Sequence, residues 1–166
     1  MVNLRSRTTR LGVLDIGSNT IHMLIVDAAP GARPDPEAST KSTVRLMKYL
    51  KEDGSIKKAG IEAILEAVSQ CMRLAEEYEI TQLLVMATSA LREAPNGNKV
   101  IHKIEELIGQ GVTVLSGTDE ARLTFLAARR WYGWDAGRLL VLDIGGGSLE
   151  VAMGSDEEPT VALSAP

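Results

Sequence analysis

The chain has 166 residues, 45% of them hydrophobic and 24% charged, with a formal net charge of −4. That is the balance of a soluble globular chain, and its acidic surface excludes a general nucleic-acid binder. One cysteine and two histidines exclude an internal disulfide, a cysteine cluster and a zinc site built on histidine alone.

The N-terminus "MVNLRSRTTR" is basic and lacks the apolar stretch of a signal peptide. It reads as a flexible arm over residues 1–10. No apolar run approaches the roughly 18 residues of a membrane span, so the expectation is a cytoplasmic protein with no membrane partner. Residues 11–14 are an aliphatic run ending at Asp15, and 20–26 are another. With Gly17-Ser18-Asn19 between them, they predict two buried strands in a tight hairpin. "APGARPDPEAST" (29–40) carries three prolines and is expected to be a loop. Residues 43–49 are expected as a third strand and "EDGS" (52–55) as a turn. Over 56–78 the apolar residues Ile61, Ile64, Leu65, Val68, Met72 and Ala75 follow a helical period. Cys71 falls within that stripe and reads as a core thiol.

Residues 83–86 predict a short buried strand, and "REAPNGN" (92–98) breaks the chain. Val100, Ile101, Ile104, Leu107 and Ile108 mark a helix that Gly109 and Gly111 end. Residues 112–115 predict a strand. A helix over 118–131 follows, capped by Ser116 or Thr118. Trp131, Tyr132 and Trp134 at its end read as a core or subunit contact. Strands at 139–142 and 149–153 pair across a glycine turn, and "EEPTVALSAP" begins one more strand. Three strands followed by alternating helices and strands predict an α/β fold with a mixed sheet flanked by helices. The last strand has no cover in the sequence, as expected of part of a longer chain.

Two stretches share one grammar: "LGVLDIGSNTIHMLIVD" and "LLVLDIGGGSLE". Each is an apolar run, an Asp, an Ile and a glycine turn. Such turns bring backbone N–H groups close to a ligand, and phosphate oxygens suit them. Gly17, Gly145, Gly146 and Gly147 would supply the close approach, with Ser18, Asn19, Thr20 and Ser148 as further donors. Asp15 and Asp143, at the strand ends, can hold Mg²⁺ directly or through water. Two such turns facing each other would clamp a polyphosphate. Either turn alone is an ordinary hairpin. A dinucleotide fingerprint is excluded, because Glu150 stands where its last glycine belongs. Glu150 reads as a cleft acid or an exposed strand residue. Arg92 reads as a phosphate ligand or half of a surface ion pair. His22 reads as a packed, hydrogen-bonded histidine and not a ligand.

"DIGSNT" and "DIGGGS" resemble the two phosphate motifs of the exopolyphosphatase/guanosine pentaphosphate phosphatase (Ppx/GppA) family, within the actin-like ATPase superfamily. "VRL" (44–46), "ATSALREAPN" (87–96) and "LSGTDEARL" (115–123) resemble further family segments, in the family's order. The resemblance implies a ribonuclease H-like, actin-like domain over 11–166, with a second domain absent. It implies metal-dependent release of terminal phosphate from inorganic polyphosphate by water attack. Glu120 would be the general base, Glu150 its companion acid, and Mg²⁺ or another divalent cation the cofactor. By its residues alone, Glu120 is an acid in the first turn of a helix, where the dipole favours its ionised form. Guanosine pentaphosphate is the alternative substrate, and a nucleotide- or polyphosphate-binding module without turnover is the alternative class. A sugar kinase is a more distant rival. A homodimer through exposed apolar surface is also expected. Three positions depart from the family pattern: Met47-Lys48-Tyr49-Leu50 replaces a glycine-rich acidic stretch, Leu149 a threonine, and Asp119 a glutamate.

Overall fold

The structure, a computed structural model, describes residues 8–29 and 35–166. Strands β1 (Thr9–Ile16) and β2 (Thr20–Ala28) form an antiparallel hairpin in which Ile16 faces Ile21. Alternation sends Leu14, Ile16, Ile21, Met23 and Ile25 to one face, where all are buried. β3 (Pro36–Thr43) flanks β2. On the other side, β4 (Gln82–Ala87) runs parallel to β1, and β5 (Thr113–Val114) runs parallel to β4. The result is a mixed five-stranded sheet in the order β3-β2-β1-β4-β5.

Helices α1 (Lys58–Glu77) and α3 (Gly97–Ile108) cover its apolar face, with Ile64, Val68, Cys71, Val100 and Ile104 in the core. Burial pushes the Cys71 thiol up to about 11, so it is an inert core group, as expected. Between β4 and α3 lies a short helix, α2 (Ser89–Glu93).

The second unit is separate. Strands β6 (Leu139–Ile144), β7 (Leu149–Gly154) and β8 (Val161–Ala165) form their own antiparallel sheet. Helix α4 (Gly117–Tyr132) lies on one face of it, packing Ala121 and Phe125 against Ala152, Leu139, Val141 and Ala162. At its far end, buried Arg129 donates to the carbonyl oxygens of Gly137 (2.6 Å) and Gly154 (3.1 Å), fixing the helix to β7.

The α/β class is as expected from the sequence, but four readings change. The strands after residue 138 do not join the mixed sheet, so residues 11–166 contain two sheets with two cores. Hairpin pairing is local and legible; the sheet a hairpin joins is not. The third strand lies at Pro36–Thr43, partly inside the expected loop, and Leu46–Tyr49 is a 3-10 turn. As a polar edge strand, β3 places only Ala38 against the core and so shows no aliphatic alternation. The expected arm ends earlier, because Thr9 and Arg10 open β1 and Arg10 pairs with Asp27 through two 2.8 Å bonds. The rest of that arm, residues 1–7, lies outside the described residues. Trp131, Tyr132 and Trp134 are exposed and not core.

Candidate active site

The two turns close in the same way. Gly17 N–H donates to the Thr20 carbonyl at 3.0 Å, and Gly145 N–H donates to the Ser148 carbonyl at 2.9 Å. The N–H groups inside the loops, of Ser18, Asn19, Gly146 and Gly147, have no protein acceptor among the described residues. The segment "VRL" fixes the first turn from behind. Val44 and Arg45 N–H both donate to Asn19 O, and Leu46 N–H donates to Ser18 O. Arg45 takes a left-handed conformation (φ 55) to do so, which is uncommon for a non-glycine residue. Because the peptide is planar, a carbonyl pulled toward 44–46 turns the next N–H the other way.

The turns also touch each other. A Cβ on Gly146 would lie 2.6 Å from the Asn19 side chain, and one on Gly147 would lie 3.2 and 3.3 Å from the hydroxyls of Ser18 and Ser89. Those hydroxyls share a buried hydrogen bond of 3.1 Å. The glycines therefore let the two hairpins, from different sheets, close on one another.

A cavity of about 510 Å³ lies between them, lined by Gly17, Ser18, Asn19, Thr20, Gly145, Gly146 and Ser148 and by four acids: Asp15, Glu120, Asp143 and Glu150. Asp143 and Glu150 sit directly opposite each other across β6 and β7, on the face that carries α4. Asp143 accepts from Thr124 (3.3 Å). Glu150, only 3% exposed, accepts from Ser164 (2.9 Å). Ser116 caps α4 by accepting from Asp119 N–H at 3.1 Å, which places Glu120 in the first turn. Glu120 is ion-paired with Arg92. Arg92 also donates to Leu115 O at 2.7 Å and to Glu93 at 2.9 Å. Arg92 and Gly147 line an adjoining cavity of about 350 Å³, which shares Ser89 and Ser148 with the first.

Burial raises the Glu120 carboxyl pKa, against the pull of Arg92 and with help from Glu150 and Asp15. Asp15 keeps solvent access at the cleft floor, yet the cleft walls desolvate it and raise its pKa. His22 opposes that shift, and Asp143 adds to it. Among the described residues no three acidic, histidine or cysteine groups are gathered tightly enough to hold a metal unaided. Two facing carboxylates that repel each other still fit a cation completed by phosphate oxygens, the usual arrangement for Mg²⁺.

A carboxyl whose pKa is raised on folding binds its proton more tightly in the folded state, so its contribution to stability falls as pH rises through the carboxylate range. Asp15→Asn removes that loss. The variant is expected to gain stability over the wild type at pH 7 and to match it near pH 3. Denaturant midpoints of both forms at both pH values check this, and a pH-independent difference would contradict it.

Every candidate named from the sequence lies on one of the two cavities. Other groups there went unread. Thr88 and Ser89 sit inside "ATSALREAPN" without an assigned role, and Ser164 and Lys41 carried no motif, nor did Thr124, which donates to Asp143. His22 differs from its reading: it has no hydrogen-bond partner among the described residues and stands beside Asp15 on the cleft face, not in the core.

The sequence profile of the Ppx/GppA phosphatase family matches residues 24–166. The chain belongs to the Ppx/GppA phosphatase family. Exopolyphosphatase 1 of Mycobacterium tuberculosis is 50% identical over 157 residues, covering 95% of this chain and 46% of that protein. The Mycobacterium leprae protein of the same name is 48% identical over the same span. A crystal structure of an exopolyphosphatase from Cytophaga hutchinsonii superimposes with a TM-score of 0.87 at 30% identity, covering 95% of this chain and 50% of that one. The chain thus spans about half the length of the curated relatives it matches.

Proposed function

We propose that the cleft binds the terminal phosphoryl group of inorganic polyphosphate and hydrolyses it by water attack, making the protein an exopolyphosphatase. The observation that carries this reading is the pair of identically closed turns. They are packed on each other, their inner N–H groups are free, and four carboxylates face the same cavity. Free N–H groups stabilise anionic oxygens as charge develops. Asp15 and Asp143 would hold a divalent cation, which supplies charge neutralisation at the phosphoryl oxygens. Glu120 orients the attacking water and takes its proton. A raised pKa brings its basicity closer to neutral, where a general base works best. Glu150, buried and held by Ser164, is the companion acid at the same wall.

Guanosine pentaphosphate presents the same kind of terminal phosphoryl group and is the alternative substrate. The relatives named exopolyphosphatase favour the inorganic polymer. No helix among the described residues is long and apolar enough to cross a membrane, and a cytoplasmic setting suits an intracellular phosphate polymer. A homodimer belongs to the same reading, supported by the exposed apolar face of Leu140, Leu142, Ile144 and Leu163 on β6 and β8.

The test is phosphate release from both substrates by the intact protein across a Mg²⁺ titration, for the wild type and Asp143→Asn. Release from polyphosphate is expected, and the variant should need roughly tenfold more cation or beyond. Superimposable titrations would remove Asp143 from the cation site. Full release without any divalent cation would overturn the metal requirement.

A further inference from the structure

We propose that Lys41 is a specificity-determining residue that binds the phosphoryl group next to the scissile one, so that the leaving chain runs out over strand β3. The proposal rests on the hydrolase reading above.

Three observations carry it. Strand register sets a row across the open face of the first sheet: Lys41 opposite His22, His22 opposite Asp15, and Asp15 opposite Met86. Neighbouring strands lie about 4.8 Å apart, so Lys41 stands two spacings, roughly 10 Å, to the β3 side of Asp15. Alternation puts Lys41 on this face, because Ala38, on the other face of β3, packs against the core. Second, among the described residues Lys41 is the one cationic side chain lining the main cavity, whose other charged groups are Asp15, Glu120, Asp143 and Glu150. It is exposed and has no ion-pair or hydrogen-bond partner among the described residues. Arg92, by contrast, lies on the adjoining cavity and is engaged by Glu120, Glu93 and Leu115 O. Third, Glu120 is tied to Arg92, which follows β4, so the water-side acid lies on the opposite side of Asp15 from Lys41.

Phosphoryl transfer keeps the attacking and leaving oxygens roughly in line. With attack from the Glu120 side, the leaving oxygen points toward β3. An uncommitted ammonium there meets the next phosphoryl group of the polyanion and stabilises the charge that builds on the leaving side. Arg45, held in its left-handed bend just beyond β3 and exposed, continues the cationic edge.

The test compares wild type, Lys41→Gln and Lys41→Arg in the intact protein. Tripolyphosphate is the substrate and inorganic phosphate the competitive product, at low and high salt. Lys41→Gln should raise KM for tripolyphosphate about tenfold or more, the size of one lost charge-assisted hydrogen bond. Its effect on kcat should be smaller, and the KM difference should shrink as salt screens the contact. The inhibition constant of inorganic phosphate, which occupies only the terminal position, should not move. Lys41→Arg should restore KM. Unchanged KM would overturn the proposal. So would equal weakening of tripolyphosphate and phosphate, which would put Lys41 at the terminal phosphoryl. Matched unfolding midpoints exclude a folding defect on this exposed strand. If the wild type releases no phosphate, the hydrolase reading fails by itself. Calorimetric binding of tripolyphosphate then decides Lys41 alone, and equal Kd values would overturn it.

Discussion

Glu120→Gln is expected to slow phosphate release by about 10²–10⁴, the usual contribution of a positioned general base, while leaving polyphosphate binding intact. Three features of the structure lead to that expectation. Glu120 is placed by a capped helix start, which fixes its backbone independently of its carboxylate. It lines the same cavity as both turns. It is also held in a more basic state than a free glutamate, since burial outweighs Arg92. Gln keeps the shape and can still accept from Arg92, so the helix should stay in place. The loss should therefore fall on kcat more than on KM. Stability at neutral pH should hold or rise, because the charged form is the disfavoured one in the fold. Near wild-type turnover in this variant would remove Glu120 from the reaction.

Phe125→Ala should cost about 3–5 kcal/mol, the range for emptying a large aromatic site in a core. Phe125 is fully buried, and among the described residues the second core has only Ala121 and Ala152 as other buried members. The ring also lies under the Arg129 guanidinium, 5.7 Å from its centroid. The loss should be local. Amide exchange should speed up in β6, β7 and β8 while β1, β2 and β4, with their own core, keep their protection. Turnover should fall as well, because α4 carries Glu120 and packs on the strands that carry Asp143 and Glu150. A uniform loss of protection across both sheets, or a cost below about 1 kcal/mol, would mean that the two cores are not energetically distinct.

What was legible in the sequence was local. The hairpin at Asp15 to Thr20 and its counterpart at Asp143 to Ser148 announce themselves through an aliphatic run, an acid and a glycine turn, and both form as expected. The apolar period of α1 and the Ser116 cap of α4 are equally plain. What escaped was set by contacts between distant segments. Strand β3 is polar because it lies at an edge, so its pairing left no apolar trace. Lys41 lies on β3 and was missed with it. His22 sits between apolar neighbours in sequence, which suggests a core residue; alternation puts its side chain on the cleft face beside Asp15. The glycines of "GGGS" point to a ligand in the sequence, but part of their role is to let Gly146 and Gly147 meet Asn19, Ser18 and Ser89 of the other hairpin. No reading of one segment shows that. The division into two sheets was hidden for the same reason, since among the described residues the strands after residue 138 pair only with one another.

The central claim is that water, directed from the Glu120 side, attacks the terminal phosphorus held between the two turns. Hydrolysis of polyphosphate by the intact protein in ¹⁸O-labelled water tests it most directly, with the products separated and weighed by mass spectrometry. The account predicts that each released orthophosphate carries the label and that the shortened chain carries none at its new end. Label on the remaining chain, or internal cleavage into long fragments, would place the attack elsewhere and contradict it.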